Sequence, residues 1–514
     1  MEQVAKFDGA PVTTGVAGLD DILRGGLTAE RLYLIEGNPG SGKTTLALQF
    51  LLEGVRLRQR TLYVTLSETK QELVAVARSH GWSLDGIDLH EMAAAQESLA
   101  PEAQLTMFHP SELELSETTK AVLTKVENTN PRRVVFDSLS EMRLLAHNPL
   151  RYRRQILGFK QFFAGKQSTV LLLDDRTGPV EDMQLQSIAH GVIHLEQTVT
   201  EFGAERRRLT VRKMRGVGYR GGMHDFVIRR GGLDVFPRLV AAEHHVELPA
   251  EDLPTGNASL DRLLGGGLPT GSSTLLIGPA GIGKSSVALQ IALAAAGRGE
   301  RVALFIFDET VKTLRARARK LNMPLDRYLD ANLVTVQQVD PAELSPGEFV
   351  SILRQTVDGK DENGRPAKVV MIDSLNGYLH SMPQEKFLNA QLHELFTYLN
   401  HRGVSTLVTV TQSGMVGSMQ TPIDTTYLAD NVVLFRYFEA RGHVRRAISV
   451  FKKRSGAHEH TIREMSLGDG GLVIGEPLDQ FQGVLTGVPR FVSGHDIGDD
   501  RDADEKTGGV KHGR

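Results

Sequence analysis

Two stretches of this chain carry glycines, a lysine and a hydroxyl in the order GxxxxGK[ST]. The first runs Gly37, Asn38, Pro39, Gly40, Ser41, Gly42, Lys43, Thr44, with Thr45 behind it. The second runs Gly278, Pro279, Ala280, Gly281, Ile282, Gly283, Lys284, Ser285, with Ser286 behind it. Each follows an apolar run and opens a segment of helical pattern. In that setting the glycines let backbone N–H groups curl around a phosphate at a helix N-terminus, the lysine neutralises β- and γ-oxygens, and the hydroxyl reaches Mg²⁺. The competing reading is a glycine-rich turn with an exposed lysine. Chance would produce the pattern only roughly 0.02 times in a chain of this length, so two matches imply two phosphate-binding sites.

A phosphate cradle of this kind needs an acid at the end of a neighbouring strand to hold the metal's water shell. Asp137 in RVVFDSLS and Asp373 in VVMIDSLN each close an apolar run and precede Ser-Leu. Thr44 with Asp137, and Ser285 with Asp373, are therefore the expected Mg²⁺ residues. A solvated strand-end aspartate would look similar alone; the duplication favours the metal. Hydrolysis also requires a group that orients or deprotonates the attacking water, best a carboxylate near the γ-phosphate. Glu68 and Glu309 each lie 25 residues beyond a P-loop lysine, preceded by Ser67 and Asp308. The alternative is an acid in a helix's first turn, where the macrodipole favours it.

These residues need strands to end at them and helices to start beside them. Short runs rich in leucine or β-branched residues, 32–35, 62–66, 134–136 and 170–173, alternate with longer segments of helical pattern. The same order returns at 274–277, 302–307, 369–372 and 407–410. Such alternation predicts an α/β fold, a mainly parallel sheet flanked by helices. The duplication is explicit. TGVAGLDDILRGGL from Thr14 matches TGNASLDRLLGGGL from Thr255, 241 residues on, and the P-loops and Glu68/Glu309 keep that offset. Two tandem domains follow, 11–242 and 253–490, with a polar, glycine-rich tail over 491–514 expected to be disordered.

Composition sets the outer limits. With 514 residues, 40% hydrophobic and 24% charged, the chain is globular and has apolar content for a sizeable core. It contains no cysteine, which excludes disulfides, thiol nucleophiles and cysteine zinc sites. No signal core opens the chain and no run approaches a membrane span, so the expected location is the cytoplasm with no membrane partner. Lys plus Arg (59) nearly balances Asp plus Glu (62), so the chain is no electrostatic magnet for nucleic acid.

Two tandem P-loop copies, each preceded by a TG…LD..L.GGL segment and followed by an acidic position, a D-S-L strand end and a K-x-R pair, resemble the KaiC family. These are double-domain ATPases and autokinases of bacterial circadian clocks. The resemblance spans roughly residues 10 to 490, including the closing FQGVLTGVPR, which single-domain RecA-type recombinases lack. It implies two RecA-like P-loop NTPase domains, ATP and Mg²⁺, and a homohexamer of two stacked rings with ATP between neighbouring subunits. It implies clock or signalling proteins as partners on either ring. It also implies an ATPase in the first ring and serine/threonine autokinase activity in the second. Family members usually carry Glu-Glu where this chain has Ser67-Glu68 and Asp308-Glu309. Lys213 with Arg215, and Lys452 with Arg454, match cations that reach a neighbour's γ-phosphate, an effect that can contribute about 10³ to 10⁵ in rate. Taken alone, a K-x-R pair on a strand reads as a solvated face.

YFEARG, from Tyr437 to Gly442, aligns with a family segment whose two phosphoacceptors lie ten and eleven residues before its tyrosine. That count lands on Tyr427 and Thr426, where the common pair is Ser-Thr; ordinary interface hydroxyls are the other reading. The family's partner-binding region falls on AAAQESLAPEAQLTMF, which differs too far for the contact to be carried over. His458, Glu459 and His460 read as a surface loop, not a metal site, and Arg206 to Arg208 as a solvated strand. Two further functions compete: a RecA- or DnaB-like motor on single-stranded DNA, and an ATP-gated scaffold without kinase activity. The motor should display aromatic platforms along a basic groove; no such stripe occurs, and the single tryptophan, Trp82, sits in an apolar stretch.

Overall fold

The computed structural model describes residues 10–92, 110–146, 148–175, 183–200, 203–246, 251–340, 342–380, 388–412, 427–486 and 489–491. Thr426, the segment 93–108 and the tail beyond Phe491 lie outside the described residues. The chain divides into two compact units, Met1–Arg238 with Ser345–Ser351, and Leu239–Leu344 with Ile352–Arg514.

The first unit is built on nine strands: β1 (Leu32–Gly37), β2 (Thr61–Thr65), β3 (Ile87–Glu91), β4 (Arg133–Asp137), β5 (Thr169–Asp175), β6 (Gly191–Thr198), β7 (Arg206–Met214), β8 (Met223–Arg229) and β9 (Gly232–Phe236). They lie in the order β3-β2-β4-β5-β1-β6-β7-β8-β9. Pairing is parallel from β3 to β6 and antiparallel from β6 to β9. The second unit repeats the order. Its strands are β10 (Ser273–Gly278), β11 (Val302–Ile306), β12 (Val334–Gln338), β13 (Val369–Asp373), β14 (Ser405–Thr411), β15 (Asn431–Ala440), β16 (His443–Lys453), β17 (Arg463–Gly468) and β18 (Gly471–Pro477). The sheet runs β12-β11-β13-β14-β10-β15-β16-β17-β18. Two mostly parallel nine-stranded sheets with helices are the duplicated α/β architecture that the sequence predicts.

The parallel strands read as near-continuous apolar runs because both faces are covered. In the first unit Leu34, Leu62, Val64, Val134 and Phe136 fall in one core cluster, while Tyr33, Ile35, Tyr63 and Val135 fall in another. The strand's period of two produces that split. Helix α1 (Lys43–Arg56) adds Leu46, Ala47, Leu48, Phe50 and Leu51 to the second cluster. Trp82 is partly buried against the same cluster, with its ring 4.7 Å from that of His80. Helix α2 (Lys70–Ser79) starts at Thr69, whose side chain accepts from Glu72 N in a capping box. The corresponding helices of the second unit are α3 (Lys284–Gly297) and α4 (Val311–Lys320).

Candidate nucleotide sites

Each P-loop joins the carboxyl end of a central strand, β1 or β10, to a buried helix. Gly42 and Gly283 sit at the helix N-caps with φ of 98° and 116°, a left-handed conformation that glycine adopts without a Cβ clash. The turn folds the lysines inward. Lys43 Nζ donates to the carbonyls of Gly37 and Asn38, both at 2.9 Å. Lys284 Nζ donates to those of Gly278 and Pro279, both at 2.8 Å. Both lysines are about 95% buried, whereas the glycine-turn alternative requires an exposed side chain. Burial pushes the Lys284 ammonium down to about 8, against the pull of Asp373 and Asp308.

Strand order brings the acids to the same end of each sheet. Thr44 Oγ1 donates to Asp137 Oδ2 at 3.2 Å, and Ser285 Oγ to Asp373 Oδ1 at 2.9 Å. Each pairs a hydroxyl with a buried carboxylate. These hard oxygen donors fit Mg²⁺, which binds through one or two carboxylates plus phosphates and keeps several waters. A cage of three or more acids or histidines is absent among the described residues. That includes His458 and His460, whose rings are 4.5 Å apart. Each aspartate has a further partner that the sequence alone leaves unnoticed. Tyr63 OH donates to Asp137 from β2, and Thr409 Oγ1 to Asp373 from β14. Burial raises the Asp137 pKa, and the Tyr63 and Thr44 hydroxyls oppose the rise.

Glu68 and Glu309 precede the N-caps Thr69 and Thr310, so neither belongs to a helix's first turn. Glu68 is half-buried, and its Oε2 has no hydrogen-bond partner among the described residues. Burial first, then the charges of Asp137, Glu72 and Asp175, pushes its carboxyl up to about 7. Glu309 is also raised by burial, but Arg317 of α4 opposes the rise. Asp308 accepts a hydrogen bond from Ser374 Oγ, next to Asp373. Ser67 is exposed and offers no carboxylate; Ser138 turns to Ser140 instead, which donates to Asp175 at 3.3 Å.

Asp175, at the end of β5, is a second residue that the sequence reading passes over. Its Oδ1 lies 2.7 Å from Lys43 Nζ. The strand-end logic that singles out Asp137 applies equally to the Asp174-Asp175 run. Its register partner is Gly37, just as Thr411 faces Gly278 in the second sheet.

The K-x-R cations stand apart from these groups. Lys213 lies on β7 and Lys452 on β16, two strands from the P-loop strand on the side opposite the acids. Lys213 Nζ donates to the carbonyls of Gln186 (2.5 Å) and Ala189 (2.8 Å), and Arg215 Nη2 to Ser187 (2.7 Å). Lys452 donates to Ala429 O at 2.8 Å. Arg454 meets Asp430 at 3.2 Å and the Tyr427 carbonyl at 3.3 Å. Tyr427 itself is 54% exposed. Arg206 to Arg208 are half-buried on β7.

Strand order, paired glycine-capped lysines and hydroxyl–aspartate contacts together define a tandem P-loop nucleotide-binding protein. Comparison with known proteins narrows this. The family described as "ATPase: KaiC" matches residues 12–240 and 253–479. The chain belongs to the KaiC ATPase family. It is similar to the circadian clock oscillator protein KaiC of Synechococcus elongatus, 26% identical over 494 residues, covering 94% of this chain and 92% of that protein. Similarity to the KaiC protein of Thermostichus vulcanus is 26% over 508 residues, 96% of this chain and 93% of the relative. Among the described residues no helix is long and apolar enough to cross a membrane.

Proposed function

We propose that this protein hydrolyses ATP at both P-loops and, in its C-terminal copy, transfers the γ-phosphoryl group to its own hydroxyl side chains. It does so as a homohexamer acting as a signalling or timing module. The observation that carries the reading is the repeated row at the sheet's carboxyl end: a buried lysine, a hydroxyl touching a strand-end aspartate, and a carboxylate after the next strand. The relatives' name, circadian clock oscillator protein, supports the timing role, and the family's description as an ATPase supports hydrolysis.

Lys43 and Lys284 leave backbone carbonyls to bind β/γ-phosphate oxygens, and the P-loop N–H groups orient the chain of phosphates. Thr44 with Asp137, and Ser285 with Asp373, would hold Mg²⁺, which when bound would supply charge neutralisation at those oxygens. Glu68 accepts a proton from the attacking water in the first copy; its pKa of about 7 suits a base at neutral pH. In the second copy the acids after the strand are Asp308 and Glu309, and Asp308 is close enough for its charge to act on Lys284. Lys213, Arg215, Lys452 and Arg454 stabilise phosphoryl charge on a neighbouring subunit, since the strand order turns them away from their own acids. A closed ring satisfies every such heterologous contact. Thr426 is the principal acceptor, and Tyr427 a second acceptor or a hydrogen-bond donor to the first phosphate.

Incubation with Mg-ATP followed by intact mass and phosphopeptide mapping tests this, together with light scattering in non-hydrolysable ATP. Phosphate between residues 421 and 431, reduced by Thr426→Ala, and a six-subunit mass are expected. An unlabelled chain leaves the ATP-gated scaffold; a monomer removes the trans-acting role of the cations.

A further inference from the structure

Arginine occurs three times at alternate positions of α4, and the helix sorts the three. Arg315 and Arg319, four residues apart on one face, meet Asp326 at 2.5 and 2.7 Å. Arg317, between them, points to the strand end. Its guanidinium meets both oxygens of Glu309: Nη1 donates to Oε2 at 2.9 Å, and Nη2 lies 2.7 Å from Oε1. Leu314 and Ala318, fully buried, anchor the helix to the core. The contact is shielded, with the Glu309 side chain 14% exposed and that of Arg317 27%.

The first copy lacks this device. At the offset of 241 residues that relates the P-loops, Val76 stands where the second copy has Arg317. Val76 lies partly buried against the core. Glu68 Oε2 and Glu309 Oε1 both go without a hydrogen bond among the described residues, so what separates the copies is the guanidinium paired with Glu309. Asp308, by contrast, is tied to Ser374 beside Asp373. So the second site has one acid turned to the metal-binding strand and one turned to an arginine.

We propose that Arg317 is a positioning residue that withdraws Glu309 from the γ-phosphate in the C-terminal copy, leaves Asp308 to face it, and so restrains transfer to water. The inference rests on the reading that ATP at Lys284 is the phosphoryl donor. In hydrolysis the oxygen of water bonds to the γ-phosphorus, the bond to the β,γ-bridging oxygen breaks, and the carboxylate takes the water's proton, leaving ADP and phosphate. A carboxylate hydrogen-bonded at one oxygen and ion-paired at the other is restrained in geometry and is a weaker proton acceptor than the same group without the arginine. Slower hydrolysis leaves ATP in place for transfer to a side-chain hydroxyl. The charged groups facing Glu309 are Arg317, Asp308 and Asp373.

The test uses full-length protein carrying Lys43→Ala, so that only the second copy turns over. Arg317→Val, which reproduces the first copy, should raise ATP hydrolysis at least about threefold, a small part of the roughly 10²- to 10⁴-fold a positioned base can contribute. The gain should vanish in Arg317→Val/Glu309→Gln, and Arg317→Lys should hold hydrolysis near the parent rate. A readout independent of turnover is carbodiimide labelling of Glu309 without nucleotide, mapped by mass spectrometry. Labelling should increase in Arg317→Val and in the milder Arg317→Gln. Unchanged hydrolysis and labelling, or a gain that survives loss of Glu309, overturns the inference and leaves the ATPase reading intact. If the Lys43→Ala parent neither binds a non-hydrolysable ATP analogue nor hydrolyses ATP, the donor reading falls and the inference with it.

Discussion

Glu68 and Glu309 follow the second strand of their respective sheets at matching positions; both face other carboxylates, and Glu309 has an arginine set against it as well. Burial, then the like charges of Asp137, Glu72 and Asp175, push the Glu68 pKa to about 7. Burial with Asp373 and Asp308 raises Glu309 too, but there Arg317 works against the rise. A second contrast lies at the neighbouring strand end. Asp175 pairs with Lys43, whereas Thr411 occupies that place opposite Lys284. A third lies inside the sheet: buried Glu36 accepts from Gln186 and sits near His194 and Arg212, where the second unit has Ile277 on β10 and Leu434 on β15. The lesson is that a duplicated scaffold keeps its strand order and P-loop geometry while the charges set against them diverge. Rate and affinity can then be tuned copy by copy without changing the fold.

Removing the lysines should break the comparison most severely. Lys43→Ala and Lys284→Ala should each weaken ATP binding on the order of 10²-fold at their own site alone, because a charge-assisted contact to phosphate is lost. Equilibrium dialysis should then count one bound nucleotide per chain instead of two; loss of both from one substitution would show that the copies are not independent.

Next in size is the base. In the Lys284→Ala protein, turnover should rise with pH through about 7, because Glu68 must shed its proton before it can accept one from water. Glu68→Gln should lower that turnover about 10²-fold and flatten the profile. A profile unchanged by the substitution would assign the titration to another group.

A smaller effect is expected from Asp175→Thr, which gives the first site the second site's residue. With its lysine no longer shared and a carboxylate removed from the phosphate site, ATP should bind about fivefold tighter, about 1 kcal/mol. Calorimetry in the Lys284→Ala background measures it, and weaker binding would instead make Asp175 part of the nucleotide site.

The smallest change is Ser67→Glu, which restores an acid before Glu68. Turnover at the first site should rise about two- to threefold. Asp175 already supplies a second carboxylate within reach of Glu68's field, so the gain is modest; steady-state hydrolysis that does not change would mean Glu68 and Asp175 suffice.

Much of this was legible from residue order. Glycines at left-handed positions, a lysine at a helix start and apolar runs that end in aspartate are local signals. Backbone conformation at Gly42 and Gly283, and the burial of Leu34 or Val134, depend chiefly on residues close in sequence and on strand periodicity. The duplication then turned each local signal into a paired one, and with it the two-unit α/β architecture. The acids Glu68 and Asp137 could be proposed together, although 69 residues separate them.

What residue order by itself determined, then, is the fold class, the repeat, the family and the positions of the glycine-rich P-loop turns. Partnership between distant side chains was decided by tertiary structure. Tyr63 and Thr409 contact the two strand-end aspartates from different strands, Asp175 reaches Lys43, and Arg317 captures Glu309 where Val76 cannot. None of these pairs has a periodicity to betray it. They arise because the order β2-β4-β5-β1 and its repeat set non-consecutive strand ends side by side, and because burial there makes each unpaired charge costly enough to seek a partner.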